Sequence, residues 1–496
     1  MNCPDYEIII PRTVQIRKSP INSMKYFFTI SLWFLSIAAY SQYEDNYTPR
    51  DRYTKKSKHI LKLLDQRHVI QVNRLNTDNA VILDKYYQMT SYLKSSVKKE
   101  RFIRDYSIET LVNTAYKKII DANSLTCEPG NILIFRSALI NAACIGEGTL
   151  LINVGLLARL QSESELAFVI AHELAHYEID HVKKRIFQAA TENLDSKVNK
   201  VIKKGIKGKV NAADLEDISS IFYKRGNFSR EMEMEADSLG YILFRNAGFN
   251  RNSSITLLDK LDSLEQRSPA LKDKLFIPFK SAKYPFQQDW LSERLSVYNR
   301  KATNTFFLIN DSLKSHPDIS IRKRKLLNDF LLTDLVNSIV ESDQSLDKVA
   351  LVSKFESVES AYFNKELDLC LFYALSLKLD FPRNKYLTSM ISKVLADLLE
   401  ARVSLTFYES VPKRTVGYGE DLRLVNTFLH NLELREMGEI AFHFLNTPSN
   451  FDSQDEEHYY LLWRICGLTE RESVQKNIKA TYKSNFPKGK YLSQMK

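Results

Sequence analysis

The chain has 496 residues, 44% of them hydrophobic and 26% charged, with only 14 Gly and 13 Pro. That composition excludes collagen-like, largely disordered and multi-span membrane proteins, and the length suits two or three folded units of about 100–200 residues each. The net charge of +10 is spread along the chain; clusters such as Lys183-Lys184-Arg185 and Arg322-Lys323-Arg324-Lys325 read as solvated helix faces, so no nucleic-acid partner is expected.

The N-terminus carries a targeting pattern. From Met24, a Lys25 precedes fourteen largely apolar residues, Tyr26 to Ala39, and the small-x-small run Ala39-Tyr40-Ser41 follows. This predicts a signal peptide over 1–41, with Met24 as the expected start and a secreted or periplasmic product. The alternative is an uncleaved N-terminal anchor facing the periplasm, although the run falls short of the about 20 residues that span a bilayer. Five cysteines occur, at 3, 127, 144, 370 and 466. An oxidising compartment permits disulfides, and Cys127 and Cys144 are near enough in sequence to pair. Without a CxxC, cysteine is not expected to hold a metal.

Residues 59–122 show helical periodicity, for example Leu111, Val112, Ala115, Tyr116, Ile119 and Ile120. Ile132-Leu133-Ile134-Phe135 reads as a strand. Residues 140–145 and Thr149-Leu150-Leu151-Ile152-Asn153, joined by Gly146-Glu147-Gly148, read as a hairpin. Helical texture returns at Gly155. The fold class expected is α+β: a mainly helical domain with a small sheet over 42–330, interrupted by an insertion at about 250–315. An all-helical region follows over 331–496. Around 362–399 the spacing is loosely that of a helix-pair repeat of about 34 residues.

Ser162 and Glu165 form a capping-box pattern, and the helix they open is apolar on nearly every face. Set into it are His172, Glu173 and His176. Burying two imidazoles and a carboxylate is costly unless something pairs with them. Residues four apart share a helix face, so both imidazoles reach one Zn²⁺. Glu173, one residue after the first His, stands beside the metal, where it takes a proton from a metal-bound water and hands it to a leaving amine. This is the HExxH pattern. A catalytic zinc needs a third protein ligand. A His six residues after His176 would define one class, but Val182 stands there. Farther on, Glu233 and Asp237 share a face at i, i+4; Glu233 suits the metal, and Asp237 suits the free ring N–H of a ligand His.

His172-Glu173-Leu174-Ala175-His176 followed by Ser229-Arg230-x-x-Glu233-x-x-Ala236-Asp237 resembles the peptidase family M48 metallopeptidases. Asn141-Ala142 before the Gly-bearing hairpin, Gly155-Leu156-Leu157, His181, and His316-Pro317 with Arg322 agree with that pattern. The resemblance covers about residues 100–330 and implies a gluzincin fold. One Zn²⁺ per chain would be held by His172, His176 and Glu233. With charged sequence between the two zinc motifs, the chain looks like the soluble, exported branch. The resemblance further implies a latency or oxyanion role for His316. It places the substrate peptide along an edge strand, taken as Thr149, Leu150, Leu151, Ile152 and Asn153. The expected function is a zinc endopeptidase acting on exported or envelope proteins. The alternative is a latent protease that acts as a chaperone or adaptor through its C-terminal helices. Those helices are the expected contact with an envelope protein complex, and the basic charge is compatible with association at a membrane surface.

Overall fold

The structure, a computed structural model, describes residues 43–53, 57–128, 130–191, 212–266, 271–292, 319–330, 332, 344–412 and 419–495. The expected signal peptide at 1–41 and the residues His316 and Pro317 lie outside the described residues. The architecture is α+β, mostly helical, with an all-helical C-terminal region.

Two helices, α1 (Lys58–Leu75) and α2 (Ala80–Lys98), precede α3 (Tyr106–Asp121). Strand β1 (Asp51–Arg52) pairs antiparallel with β2 (Ile103–Arg104). The Asp105 carboxylate caps α3 by accepting the Ile108 N–H at 3.0 Å, which satisfies a donor that the helix itself leaves orphaned. The periodic residues Leu111, Val112, Ala115, Tyr116 and Ile119 of α3 are all buried, as one inward stripe requires.

Strands β3 (Ile132–Phe135), β4 (Ala142–Cys144) and β5 (Leu150–Asn153) form a sheet in the order β3-β5-β4. The hairpin forms as expected, with Cys144 opposite Leu150 and Ala142 opposite Ile152. Gly148 turns it at φ +88°, a conformation glycine adopts without a Cβ clash. The edge assignment of Thr149, Leu150, Leu151, Ile152 and Asn153 is overturned. β5 is the central strand, parallel to β3 on one side and antiparallel to β4 on the other. The reason is burial: all four β5 residues are enclosed, and an apolar run covered on both faces belongs mid-sheet. The outer side of β3 is occupied by Phe102, which bridges Phe135, and by Arg101, whose carbonyl accepts the Arg136 N–H at 2.7 Å. Among the described residues the outer edge of β4 has no strand partner, so β4 is the open edge.

A short α4 (Val154–Leu157) leads to α5 (Glu163–Glu178). Ser162 Oγ accepts the Glu165 N–H at 3.1 Å. Glu165 reaches back to the N–H of Gln161 rather than of Ser162, and Lys260 binds both its oxygens at 2.7 Å. Every residue of α5 from Glu165 to Tyr177 is buried, so this helix is the axis of the domain. Packed around it are α3, the sheet, α6 (His181–Thr191), α7 (Ala212–Asn246) and α8 (Asn252–Gln266), while α9 (Ile319–Asp329) lies on α7 and α8.

The C-terminal region comprises α10 (Gln344–Phe363), α11 (Leu367–Asp380), α12 (Lys385–Val403), α13 (Phe407–Ser410), α14 (Glu420–Asn431), α15 (Leu434–Leu445), α16 (Glu456–Leu468) and α17 (Glu472–Asn485). One apolar core runs from α3 and α5 into these helices. Arg136, after β3, is fully buried and donates to Glu356 of α10 at 2.9 Å. The other Glu356 oxygen accepts the Tyr47 hydroxyl at 2.6 Å and the Arg50 N–H at 2.7 Å. The described part of the expected insertion also joins the halves. Phe276 and Phe279 lie 4.8 and 5.7 Å from the Phe428 ring, and Trp290 Nε1 donates to Glu436 at 3.0 Å.

Cys127, Cys144, Cys370 and Cys466 are buried and unpaired, so the Cys127–Cys144 pairing is not formed; each fills space as a small apolar residue. No helix among the described residues is long and apolar enough to cross a membrane.

Candidate metal centre and active site

The helical repeat places His172 and His176 on the face of α5 that meets α7. Close approach there depends on small residues of α7. Ala236 is fully buried at the contact, and a Cβ on Gly240 would stand 2.9 Å from the His172 Cα. This approach carries Glu233 and Asp237, one helical turn apart, up to the imidazoles.

Three side chains converge. His172 Nε2 lies 3.1 Å from His176 Nε2 and 3.4 Å from Glu233 Oε2, and His176 Nε2 lies 3.5 Å from Glu233 Oε1. Four ligands set tetrahedrally at 2.0–2.1 Å from a zinc ion stand about 3.3 Å apart. The observed spacings bracket that value. Two imidazoles and one carboxylate, all buried, are a donor set suited to Zn²⁺. By geometry and by chemistry the residues fit the ion.

The surroundings orient them. His172 Nδ1 is 3.0 Å from Asp237 Oδ1. Arg322 of α9 clamps Asp237 through Nε and Nη2, each at 2.7 Å, and its Nη1 lies 3.3 Å from Glu233 Oε2. Burial pushes the Asp237 pKa up, but the Arg322 guanidinium and then His172 together more than offset it and hold the group at about 2. Burial likewise pulls His172 down, yet the adjacent Asp237 and Glu233 carboxylates prevail and place it at about 10. For His176, burial and then the neighbouring His172 act together and bring it to about 2. The Asp237 and Glu233 carboxylates thus favour positive charge at His172, and a dication competes directly for that place.

Glu173 is on the next position of α5. Its Oε2 accepts the Cys144 N–H at 2.9 Å, so the carboxylate is tied to the open edge strand β4. Ile145 N–H and Asn153 N–H bond across the hairpin to Thr149 and Asn141. The alternation of an antiparallel ladder therefore turns the backbone groups of Ala142 and Cys144 outward.

The profile of peptidase family M48 matches residues 109–329, which contain every one of these groups. Residues 109–329 are a family M48 domain. The Mitochondrial metalloendopeptidase OMA1 of Arabidopsis thaliana is 32% identical over 133 residues, 27% of this chain and 26% of that protein. Metalloprotease LoiP of Escherichia coli is 28% identical over 144 residues, 29% of this chain and 56% of that protein. The OMA1 of Schizosaccharomyces pombe is 28% identical over 226 residues, 43% of this chain and 64% of that protein. In each case the match spans less than two thirds of the relative's length.

Within the M48 domain the structure brings together His172, Glu173, His176, Glu233 and Asp237. Leu150, Leu151, Ile152 and Asn153 sit mid-sheet, away from the open edge. Two roles were not legible in the sequence, that of Arg322, which entered only as part of the late His-Pro and Arg pattern, and that of Glu235. Arg322 stands in a basic cluster that looks like a solvated face, yet it is buried at the centre. Glu235 stands among alternating acids and gives no local sign of its contact with His181.

Proposed function

We propose that this chain is a zinc-dependent endopeptidase. The observation that carries the reading is the convergence of His172, His176 and Glu233, with ligand atoms all within 4.8 Å of one another, beside a Glu173 carboxylate bound to the open strand β4. These three residues would hold the ion, which when bound supplies Lewis acidity for a scissile carbonyl.

The remaining work falls to the protein. On β4 an extended substrate segment pairs with the outward N–H and carbonyl of Ala142 and with the outward carbonyl of Cys144, whose N–H is held by Glu173, since an open strand edge recognises peptide backbone. Glu173 takes a proton from the attacking water and returns it to the leaving amine. Asp237, held by Arg322, fixes the ring of His172. His316 remains a candidate for latency or for oxyanion stabilisation. The proposed substrates are exported or envelope proteins, in a quality-control role after export through the 1–41 leader. The chain would be periplasmic or secreted, with an uncleaved N-terminal anchor as the other arrangement. Association with an envelope complex would run through the region 331–496, as a unit distinct in role from 42–330, and the basic charge would favour an anionic membrane surface.

A second reading, client docking with weak proteolysis, draws support from the exposed apolar residues Val403, Leu405 and Tyr408 at the α12–α13 corner, where Leu405 is 89% exposed. Both readings meet in one experiment: metal content and casein cleavage by the full chain and by Glu173→Gln. One zinc per chain in both, with cleavage by the parent alone, supports the endopeptidase. Zinc in both with cleavage in neither favours docking or latency, and no zinc in either overturns the proposal.

A further inference from the structure

The two imidazoles at the centre are oriented by different means. The first, His172, has a carboxylate partner, Asp237. The second, His176, has none on its Nδ1 among the described residues. Instead, His181 Nδ1 lies 2.7 Å from His176 Nδ1, and His181 Nε2 lies 3.1 Å from Glu235 Oε2. His181 is fully buried, whereas the Glu235 side chain is 56% exposed. The three groups form a row from the centre to the surface.

Proton positions along this row follow from the geometry. His176 Nε2 faces His172 Nε2 and Glu233, so Nε2 is the atom that would meet a metal and must be bare. A neutral imidazole with a bare Nε2 carries its hydrogen on Nδ1. Among the described residues that hydrogen has one acceptor within reach, His181 Nδ1, which must then also be bare. The proton of His181 is therefore on Nε2, where Glu235 accepts it. Each donor meets an acceptor, and the row has a single direction: His176 to His181 to Glu235.

We propose that His181 and Glu235 are positioning residues that hold His176 as an Nε2 ligand, so that metal affinity at the buried centre is set in part by a carboxylate on the surface. The inference rests on the metal reading above. Outer partners of ligand imidazoles restrict ring orientation and raise ligand basicity, and losing one typically weakens metal binding about 10–100-fold. Glu235 also faces an open groove of about 580 Å³ lined by Ile179, Met234, Leu239 and Ile242. The outer end of the row is thus accessible from solvent.

The test is zinc affinity of the full chain, measured by competition with a chromogenic chelator, for the parent, His181→Phe, Glu235→Ala and Glu235→Gln. Phe preserves a ring of similar size but accepts no proton. Gln keeps an oxygen acceptor for His181 Nε2–H. Expected are a loss of about 10–100-fold for His181→Phe, about tenfold for Glu235→Ala, and recovery to within about threefold of the parent for Glu235→Gln. Glu235 is on the surface, so Glu235→Ala reports even if His181→Phe fails to fold. In ¹⁵N spectra of the zinc-loaded parent, His176 is expected with its proton on Nδ1 and His181 with its proton on Nε2. Parent-like affinity in Glu235→Ala, or the opposite tautomer at His181, overturns the inference while leaving the metal reading intact. A parent that binds no zinc overturns both.

Discussion

Arg322 is the residue on which the charges of the centre depend. It is buried, donates twice to Asp237 and reaches Glu233. Removing one partner of a buried, hydrogen-bonded ion pair leaves the other charge uncompensated, at a cost of about 3–5 kcal/mol. Arg322→Ala is therefore expected to lower the unfolding midpoint in a thermal or urea titration and to weaken zinc binding together. Arg322→Lys should not restore either, because an ammonium cannot reproduce the two-pronged contact. Parent-like stability in Arg322→Ala would refute this account of the cluster. At Glu173 the expectation is the reverse. The side chain is not among the converging ligand atoms, so Glu173→Gln should keep zinc while losing about 10²–10⁴ in kcat, the usual worth of a positioned general base. Fluorogenic-peptide kinetics alongside metal analysis would separate the two outcomes.

At the scale of elements, the site is a contact between α5 and α7 whose separation is set by Gly240. In an ordinary helix interior Gly→Ala stabilises by about 1 kcal/mol. Here the added Cβ would meet the backbone of His172 at 2.9 Å, and backbone cannot rotate away. Gly240→Ala is expected to destabilise, and to weaken zinc affinity by displacing Glu233 from the imidazoles. A gain in stability would show that the helices tolerate a wider spacing. The open edge β4 makes a second prediction at this scale. Ala142→Pro removes an outward N–H without disturbing the bonds that face β5. It should raise KM for extended peptides more than it lowers kcat, as measured by peptide-hydrolysis kinetics, if substrates add to that edge.

Over the whole molecule, a continuous core and the buried Arg136–Glu356 pair join the M48 domain to the C-terminal helices. Cutting that link with Glu356→Ala leaves Arg136 unpaired, and a loss of about 3–5 kcal/mol is expected in the unfolding transition. Lys378 of α11 acts in the opposite sense. Burial lowers its pKa to about 8 from 10.5, and among the described residues its hydrogen-bond partners are the Asn384 carbonyl and the Thr388 hydroxyl. Below pH 8 the folded and unfolded chains both carry this proton, and the penalty of the buried charge is felt in full. Between about pH 8 and 10.5 the unfolded chain binds more protons, so this group makes stability rise with pH. Lys378→Met should accordingly raise Tm by a few degrees near neutral pH, and the gain should shrink toward pH 10.5. A gain that is constant with pH would argue that the lysine is not the cause.

Local chemistry determined much of this from sequence alone. The spacing of His172 and His176, the cap at Ser162, the strand at 132–135 and the hairpin about Gly148 each depend on residues a few positions apart, where helix and turn geometry leave few choices. Glu233 and Asp237 were legible as a pair for the same reason. What only the tertiary structure decided lies between distant segments. β5 is central because β3, reached through a separate loop, pairs with its far side. Arg322 leaves a basic cluster for the interior because Asp237 and Glu233, more than eighty residues earlier, present it with two buried carboxylates. His181 and Glu235, likewise, meet only when α6 folds back beside α7. Burial and charge pairing are properties of the assembled core, and no periodicity within one segment reports which partner another segment will supply.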